Sequence, residues 1–248
     1  MKNLLLYPTA LLFSLLATLL YAQEPEVLII GHDDFPPIAY IDELGQSQGT
    51  LLIYAQQVFS ELGYTVKFRP LPSARLYREI ATGQVHIWMG AKGKSELKDH
   101  VLESTHAISQ INLALYYHPD LSPPVLPAAL QDQKIIAIRG FSYWENVNAW
   151  LNDEALNTQL IPASSHASAI AMLLKRRSNF LLSYQEPMQF TKNKLGIDKL
   201  SIPSVILKQI PISFIVSKHH PNAANIVQAI DGYLDKATAE PPNTEKEP

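Results

Sequence analysis

The chemically capable side chains of this sequence fall into short clusters. His32, Asp33 and Asp34 stand together, with Phe35 next to them. Arg75 follows a Pro70-Leu71-Pro72 turn, and Arg139 stands directly before Gly140. Tyr143 and Trp144 come shortly afterwards, then His166 and Glu186. An arginine at a strand end beside a helix start can fork an anion, because the guanidinium presents paired donors and the helix adds free backbone N–H groups. Imidazole and carboxylates at 32–34 could coordinate a metal. No second His-rich element is spaced to complete such a site, so neither a metal nor another cofactor is expected. Acid–base catalysis would need a poised proton donor or acceptor. Asp34, His166 and Glu186 are the candidates, and no spacing unites them. Gly-x-Ser-x-Gly, His-Glu-x-x-His and a phosphate-binding loop are all missing from the sequence. The residues suit binding better than catalysis. Arg176-Arg177 and His219-His220 read as solvated turns, and Trp88 as strand packing.

The elements that must position these groups follow from the period of the apolar residues, which alternates between strand and helix types. Glu26–Gly31 reads as a buried strand. Thr50–Leu62 reads as a helix stopped by Gly63. Thr65–Arg69 is a strand, Ser73 can cap a helix through Ile80, and Val85–Met89 is a third strand. The same order then returns: strand Lys134–Arg139, helix Tyr143–Leu151, strand Thr158–Ile161, a helix from the Ser165 cap through Leu174, and strand Asn179–Leu182. Two β-α-β-α-β blocks predict two α/β lobes, each with a mostly parallel sheet. A strand-like run, Ile111–Tyr117, lies between them and is followed by a proline-rich connector. After the second block, Ser204–Leu207 and Ile212–Val216 read as strands parted by Lys208–Pro211. Asn222–Leu234 reads as a final helix. The proline- and charge-rich tail, 237–248, is predicted to be disordered. On these assignments Arg75 and Arg139 face one edge, with Tyr143 and Trp144 beside them. One of those rings could stack on a ligand while the other fills core.

The first residues carry an address. Met1-Lys2-Asn3 supplies one positive charge, Leu4–Leu20 has none, and Tyr21-Ala22-Gln23 precedes Glu24-Pro25. That is the order of a secretory signal peptide over 1–22, with the cut predicted after Ala22. Cysteine is absent, which leaves no disulfide, no thiol chemistry and no lipidated cysteine at the cut. The expectation is a non-lipidated protein of the bacterial periplasm. The net charge of −3 offers no basic excess for nucleic acid, and no basic amphipathic helix suggests a membrane surface. A monomer is expected.

Asp34-Phe35-Pro36-Pro37-Ile38-Ala39-Tyr40-Ile41-Asp42-Glu43-Leu44-Gly45, then Gly49 and a helix, resembles the N-terminal signature of family 3 extracellular solute-binding proteins. These are the capturing subunits of polar amino-acid ABC importers. Glu61-Leu62-Gly63-Tyr64, Pro70 to Arg75, Ala81 to His86, Ile138-Arg139-Gly140-Phe141-Ser142-Tyr143 and Ile212 to Lys218 continue the likeness. The resemblance implies a two-lobed type 2 periplasmic-binding fold joined by two hinge crossings. Lobe 1 would hold 23–107 plus 212–236, and lobe 2 would hold 108–211. Ligand would sit between them at the carboxyl ends of strands, with hinge closure around it. An inner-membrane ABC permease is the implied partner.

By the same resemblance, Phe35 matches an aromatic that packs on ligand. The arginine that forks an amino-acid carboxylate falls on Leu97. Lys92 and Lys94 are near, but an ammonium cannot give the same bidentate contact. The acid that holds the amino group falls on Ser183 or Tyr184, with Glu186 slightly later. Both halves of the amino-acid clamp are therefore altered. The expected ligand contacts are Asp34, Phe35, Arg75, Arg139, Ser142, Tyr143, Tyr184 and Glu186. The expected cargo is a small polar solute, anionic or aromatic and amino-acid-like. A sensor or partner-presenting module and a dehydratase-like enzyme are other uses of this fold.

Overall fold

The computed structural model describes residues 25–141 and 143–239. Strand β1 (Val27–His32) runs into a short hairpin, β2 (Tyr40–Ile41) and β3 (Ser47–Gln48). The hairpin turns on Asp42, whose carboxylate accepts the N–H groups of Leu44 and Gln46 at 2.9 and 2.8 Å. Helix α1 (Thr50–Glu61) follows and buries Leu51, Leu52, Ala55, Val58 and Phe59 on one face. Gly49 starts it at φ 140°, and a Cβ there would lie 2.2 Å from the Ile38 carbonyl oxygen. Only glycine lets the hairpin and the helix approach this closely.

Strand β4 (Thr65–Pro70), helix α2 (Ser73–Ala81), strand β5 (Ile87–Ala91) and the short β6 (Val101–Glu103) complete the first half. Strand β7 (Ser109–Tyr117) then crosses into the second half. That half holds β8 (Lys134–Ile138), α3 (Glu145–Leu151), β9 (Gln159–Ala163), α4 (His166–Leu174), β10 (Phe180–Tyr184) and α5 (Gln185–Lys194). Strand β11 (Ser204–Ser217) returns, and α6 (Ala223–Ala239) packs the chain closed.

The strands lie in the order β4-β1-β5-β11-β7-β10-β8-β9, with β6 beside β11. Pairs β1–β4, β1–β5, β8–β9 and β8–β10 are parallel. The connecting strands β7 and β11 pair antiparallel with each other. Strand β11 lies along β7 from Ser204 to Ile212 and along β5 from Ile212 to Val216, so one strand belongs to both halves. Alternate residues of the strands fill cores on either side. One core gathers Phe59, Phe214 and Ile226, a second Ile136, Ile170 and Leu181, and a third Leu76, Trp88 and Leu97.

Several expectations are corrected here. The two predicted strands after residue 203 are one strand with a bulge between Ile206 and Lys208. Pro211 is tolerated because its carbonyl accepts from the Lys92 N–H; its nitrogen faces the same side, just past the end of β5, where no ladder donor is needed. The helix expected from Tyr143 begins at Glu145, and Tyr143 and Trp144 lead into it. Ser73 does not cap α2; Pro72 holds that position without a side-chain bond. Ser165 does cap α4, in a reciprocal box with Ser168. The final helix continues through Ala239, so 237–239 is not tail; 240–248 lies outside the described residues, as does the expected signal peptide. Among the described residues no helix is long and apolar enough to cross a membrane.

Candidate functional site

The carboxyl ends of β1 and β5 open toward the elements of the second half. Parallel pairing of Ile30 with Ile87 and Gly31 with Trp88 sets the residues after both strands side by side. His32 and Asp33 leave β1 there, and Lys94 follows β5. They line a cavity of about 70 Å³ together with Phe35, Tyr77, Trp88, Phe141 and Tyr184. Trp88 and Gly90 share one side of β5, and a Cβ on Gly90 would lie 2.1 Å from the indole. The missing side chain is what lets the Trp88 ring lie across the strand and form part of the wall.

The polar groups of this cavity are few and held. Ser73 Oγ donates to Asp33 Oδ2 at 2.6 Å. Asp33 keeps part of its surface open to the cavity, yet burial of the carboxyl raises its pKa, against the lowering influence of Ser73, His32 and Lys94. Lys94 is the reverse case, since burial lowers its pKa while Glu96 and Asp33 hold it up. Its ammonium lies 3.6 Å from Glu96, 4.8 Å from the Tyr77 ring centre and 5.8 Å from that of Trp144. His32 is buried, with Nδ1 3.0 Å from the Asp33 carbonyl and Nε2 2.8 Å from Ser47 Oγ. The carbonyl can only accept, so Nδ1 carries the proton and, in the neutral ring, the Ser47 hydroxyl donates to Nε2. Each desolvated charge costs free energy unless a partner of opposite sign completes it.

Rings from both halves meet over the cavity. Phe35 lies 5.9 Å from Phe141 and 5.2 Å, edge on, from Tyr184. Phe141 was not expected here. It stands one residue past Gly140, inside the motif quoted for the resemblance, which was the available signal. Tyr77 was also missed; only the helical spacing from Ser73 places it on the cleft side.

The expected contacts are scattered by the fold. Phe35 and Tyr184 line the cavity. Asp34 and Arg139 are exposed and line a neighbouring groove of about 800 Å³. Arg75 turns away, and its Nε lies 2.6 Å from buried Glu79, which Arg69 also reaches at 3.1 Å. Arg75 is absent from the cavity lining because an i, i+4 partner on its own helix claims it. Glu186 turns both carboxylate oxygens onto Asn112, accepting its backbone N–H at 3.1 and 3.3 Å. It thereby extends the β7 ladder past the end of β10 and lines neither the cavity nor the neighbouring groove. Tyr143 is buried with its hydroxyl donating to the Leu182 carbonyl at 3.4 Å, and burial pushes its pKa up. It is the core member of the Tyr143–Trp144 pair. Trp144 lies under Lys208, 4.2 Å from ring centre to ammonium. Ser142 lies outside the described residues. Leu97, where the resemblance would put the carboxylate-forking arginine, is buried in the Trp88 core. Among the described residues no three His, Cys, Asp or Glu side chains are grouped to hold a metal.

Residues 27–240 match the bacterial extracellular solute-binding proteins, family 3. The chain belongs to that family, and its two half-sheets with flanking helices are the type 2 periplasmic-binding fold. Among solved structures it is similar to holo ArgBP from T. maritima, with 17% identity, 87% of this chain and 92% of that chain covered, and a TM-score of 0.68. It is also similar to a histidine kinase sensor domain described as resembling periplasmic binding proteins, with 16% identity, coverages of 87% and 93%, and a TM-score of 0.70. A third is the ancestral amino acid-binding protein AncCDT-1, a precursor of cyclohexadienyl dehydratase, with 19% identity, coverages of 86% and 90%, and a TM-score of 0.65. No curated protein sequence matches the chain significantly.

Proposed function

We propose that this chain is exported to the periplasm and captures a small, polar, amino-acid-like solute between its lobes for an ABC-type importer, without acting on it as an enzyme. The observation that carries the reading is the Asp33–Lys94 pair under rings from both halves. Asp33 and Lys94 would take the place of the altered clamp at Leu97 and Tyr184, Asp33 for a ligand ammonium and Lys94 for a ligand oxygen. Phe35, Phe141 and Tyr184 would cover the ligand's apolar part. The anionic preference then rests on Lys94 and Arg139, with Arg75 committed to Glu79. We place the lobe boundaries at 107/108 and 211/212, a division supported by the change of β11 partners at Ile212.

Of the groups that could move protons, Asp34 and His166 line the groove, while Glu186 is bonded to the hinge strand. With Glu186 bonded to Asn112, that set of three is not assembled in one place, which favours binding over catalysis. Thermal-shift measurements against amino acids, organic acids, sugars and short peptides test the reading. A true ligand at 100 times its dissociation constant adds about 2.7 kcal/mol of stability. Asp33→Asn and Lys94→Gln should each weaken that shift. Turnover of a cyclic dienyl acid by the purified protein would sink the non-enzymatic reading.

A further inference from the structure

The space between the halves is divided in two. On the inner side Phe35 meets Phe141 and Tyr184. On the outer side Tyr40 meets Phe190 at 5.4 Å, and Lys194 reaches Glu43 at 2.9 Å. Each of these contacts joins an element of the first half to one of the second, so the halves touch along two lines. Between them the groove keeps about 800 Å³, whereas the inner cavity has about 70 Å³. Pockets for small organic ligands run from roughly 300 to 1,000 Å³. The groove falls inside that range and the inner cavity well below it. The two spaces adjoin, with Asp33, Ser73 and Phe141 lining both.

We infer that the groove houses the body of the ligand and is built for a zwitterionic di- or tripeptide rather than a free amino acid, an inference that rests on the solute-capture reading above. Charge is what selects this occupant. Asp33 and Asp34 line it from the first half, and Arg139 with the start of α4 lines it from the second. A peptide's ammonium suits the first, and its carboxylate suits a guanidinium beside helix N–H groups. Arg139 stands where β8 ends, and its backbone N–H donates to Ala163 at 2.9 Å, which fixes the arginine beside the loop that opens α4. His166 lines the same groove at 9% exposure, and its Nε2 has no hydrogen-bond partner among the described residues. The lining also carries apolar surface from Leu71, Ile138, Phe141 and Phe190. At the rim, Ile41 and Leu195 remain 43% and 48% exposed, a surface that an extended occupant would cover.

Calorimetric titration of the protein with pooled dipeptides and tripeptides, their C-terminal amides and the free amino acids tests the inference. Peptides with a free carboxylate should bind at least tenfold more tightly than any free amino acid. Amidation should weaken binding about tenfold, Arg139→Gln should do the same, and the two together should lose no more than either alone. Free amino acids bound as tightly as peptides would overturn the inference and leave solute capture standing. Amides bound as tightly as the acids would overturn it as well, whatever Arg139→Gln does to folding. No binding by any solute class would overturn both the inference and the capture reading.

Discussion

The inner cavity and the outer groove lie between the same two half-sheets, yet they use their polar residues in opposite ways. In the cavity, Asp33 and Lys94 are desolvated and held close to Ser73, Tyr77 and Glu96. In the groove, Asp34 and Arg139 are exposed. A desolvated charge is costly unless its partners stay in place, so a ligand that disturbs them without replacing them is rejected. An exposed charge costs little, so it attracts and orients without committing the fold. The cavity is thus the place where mutations should trade stability against binding. The groove is where they should change binding alone, with the buried imidazole of His166 as the exception.

That exception carries the largest expected effect. Burial pushes the His166 pKa from its ordinary value near 6.5 down to about 4. The unfolded chain therefore takes up a proton that the folded chain refuses. The resulting stability is fully present above pH 6.5 and is lost as pH falls through that window toward 4. At 1.36 kcal/mol per pKa unit the loss reaches about 3 kcal/mol. Denaturant titrations at several pH values should show it, and His166→Phe should flatten the profile between those limits. An unchanged profile would mean that the ring gains a partner in solution.

Gly90→Val acts on the cavity. The new side chain would collide with the Trp88 indole, which is 5% exposed and packed 5.2 Å from Tyr77. Overpacking of this kind costs about 2 kcal/mol. The ring lines the cavity, so its displacement should cost ligand binding together with the stability. Asp33→Asn should go the other way. The raised carboxyl pKa means that the folded state disfavours the ionised form. That group's contribution is fully present below the unfolded value near 3.8 and is lost as pH rises through the folded one. At neutral pH the amide variant should be the more stable one while binding solute more weakly. Equal losses of stability and binding would show instead that Asp33 is purely structural. Arg139→Gln is the smallest effect on the fold, within about 0.5 kcal/mol, since the side chain is exposed and makes no ion pair among the described residues. Its effect should appear only in binding. A clear drop in melting temperature would remove the distinction between the two regions.

Most of the fold was legible because short-range physics sets it. Apolar spacing marked α1 and α4, the Ser165 cap marked where α4 begins, and Gly63 marked where α1 ends. Strands β1, β8 and β10 were readable as apolar runs, and β4 as an alternation of polar and apolar residues closed by Pro70. The hairpin at Tyr40–Gln48 was not, because two-residue strands carry no period. The continuity of β11 was not legible either, since Pro211 reads as a break until the end of β5 is known.

The candidate site was less legible, and the reason is reach. Phe35 and Tyr184 were found by likeness of motif, and their backbone positions carry them to the cavity. Arg75, Glu186 and Tyr143 were plausible by type and place, but a long or polar side chain takes the best partner within its radius. For Arg75 that partner is Glu79, for Glu186 it is Asn112 and for Tyr143 the Leu182 carbonyl. Asp33 and Lys94 are about sixty residues apart in sequence, and nothing local links them. Only the parallel pairing of β1 with β5, which sets Gly31 beside Trp88, makes them neighbours. The sequence by itself determined the family, the order of the elements and the absence of cysteine chemistry, because composition and local periodicity are properties of the chain alone. The tertiary structure decided which charges share a buried space and which remain exposed, because burial and partnership exist only once distant strands are paired.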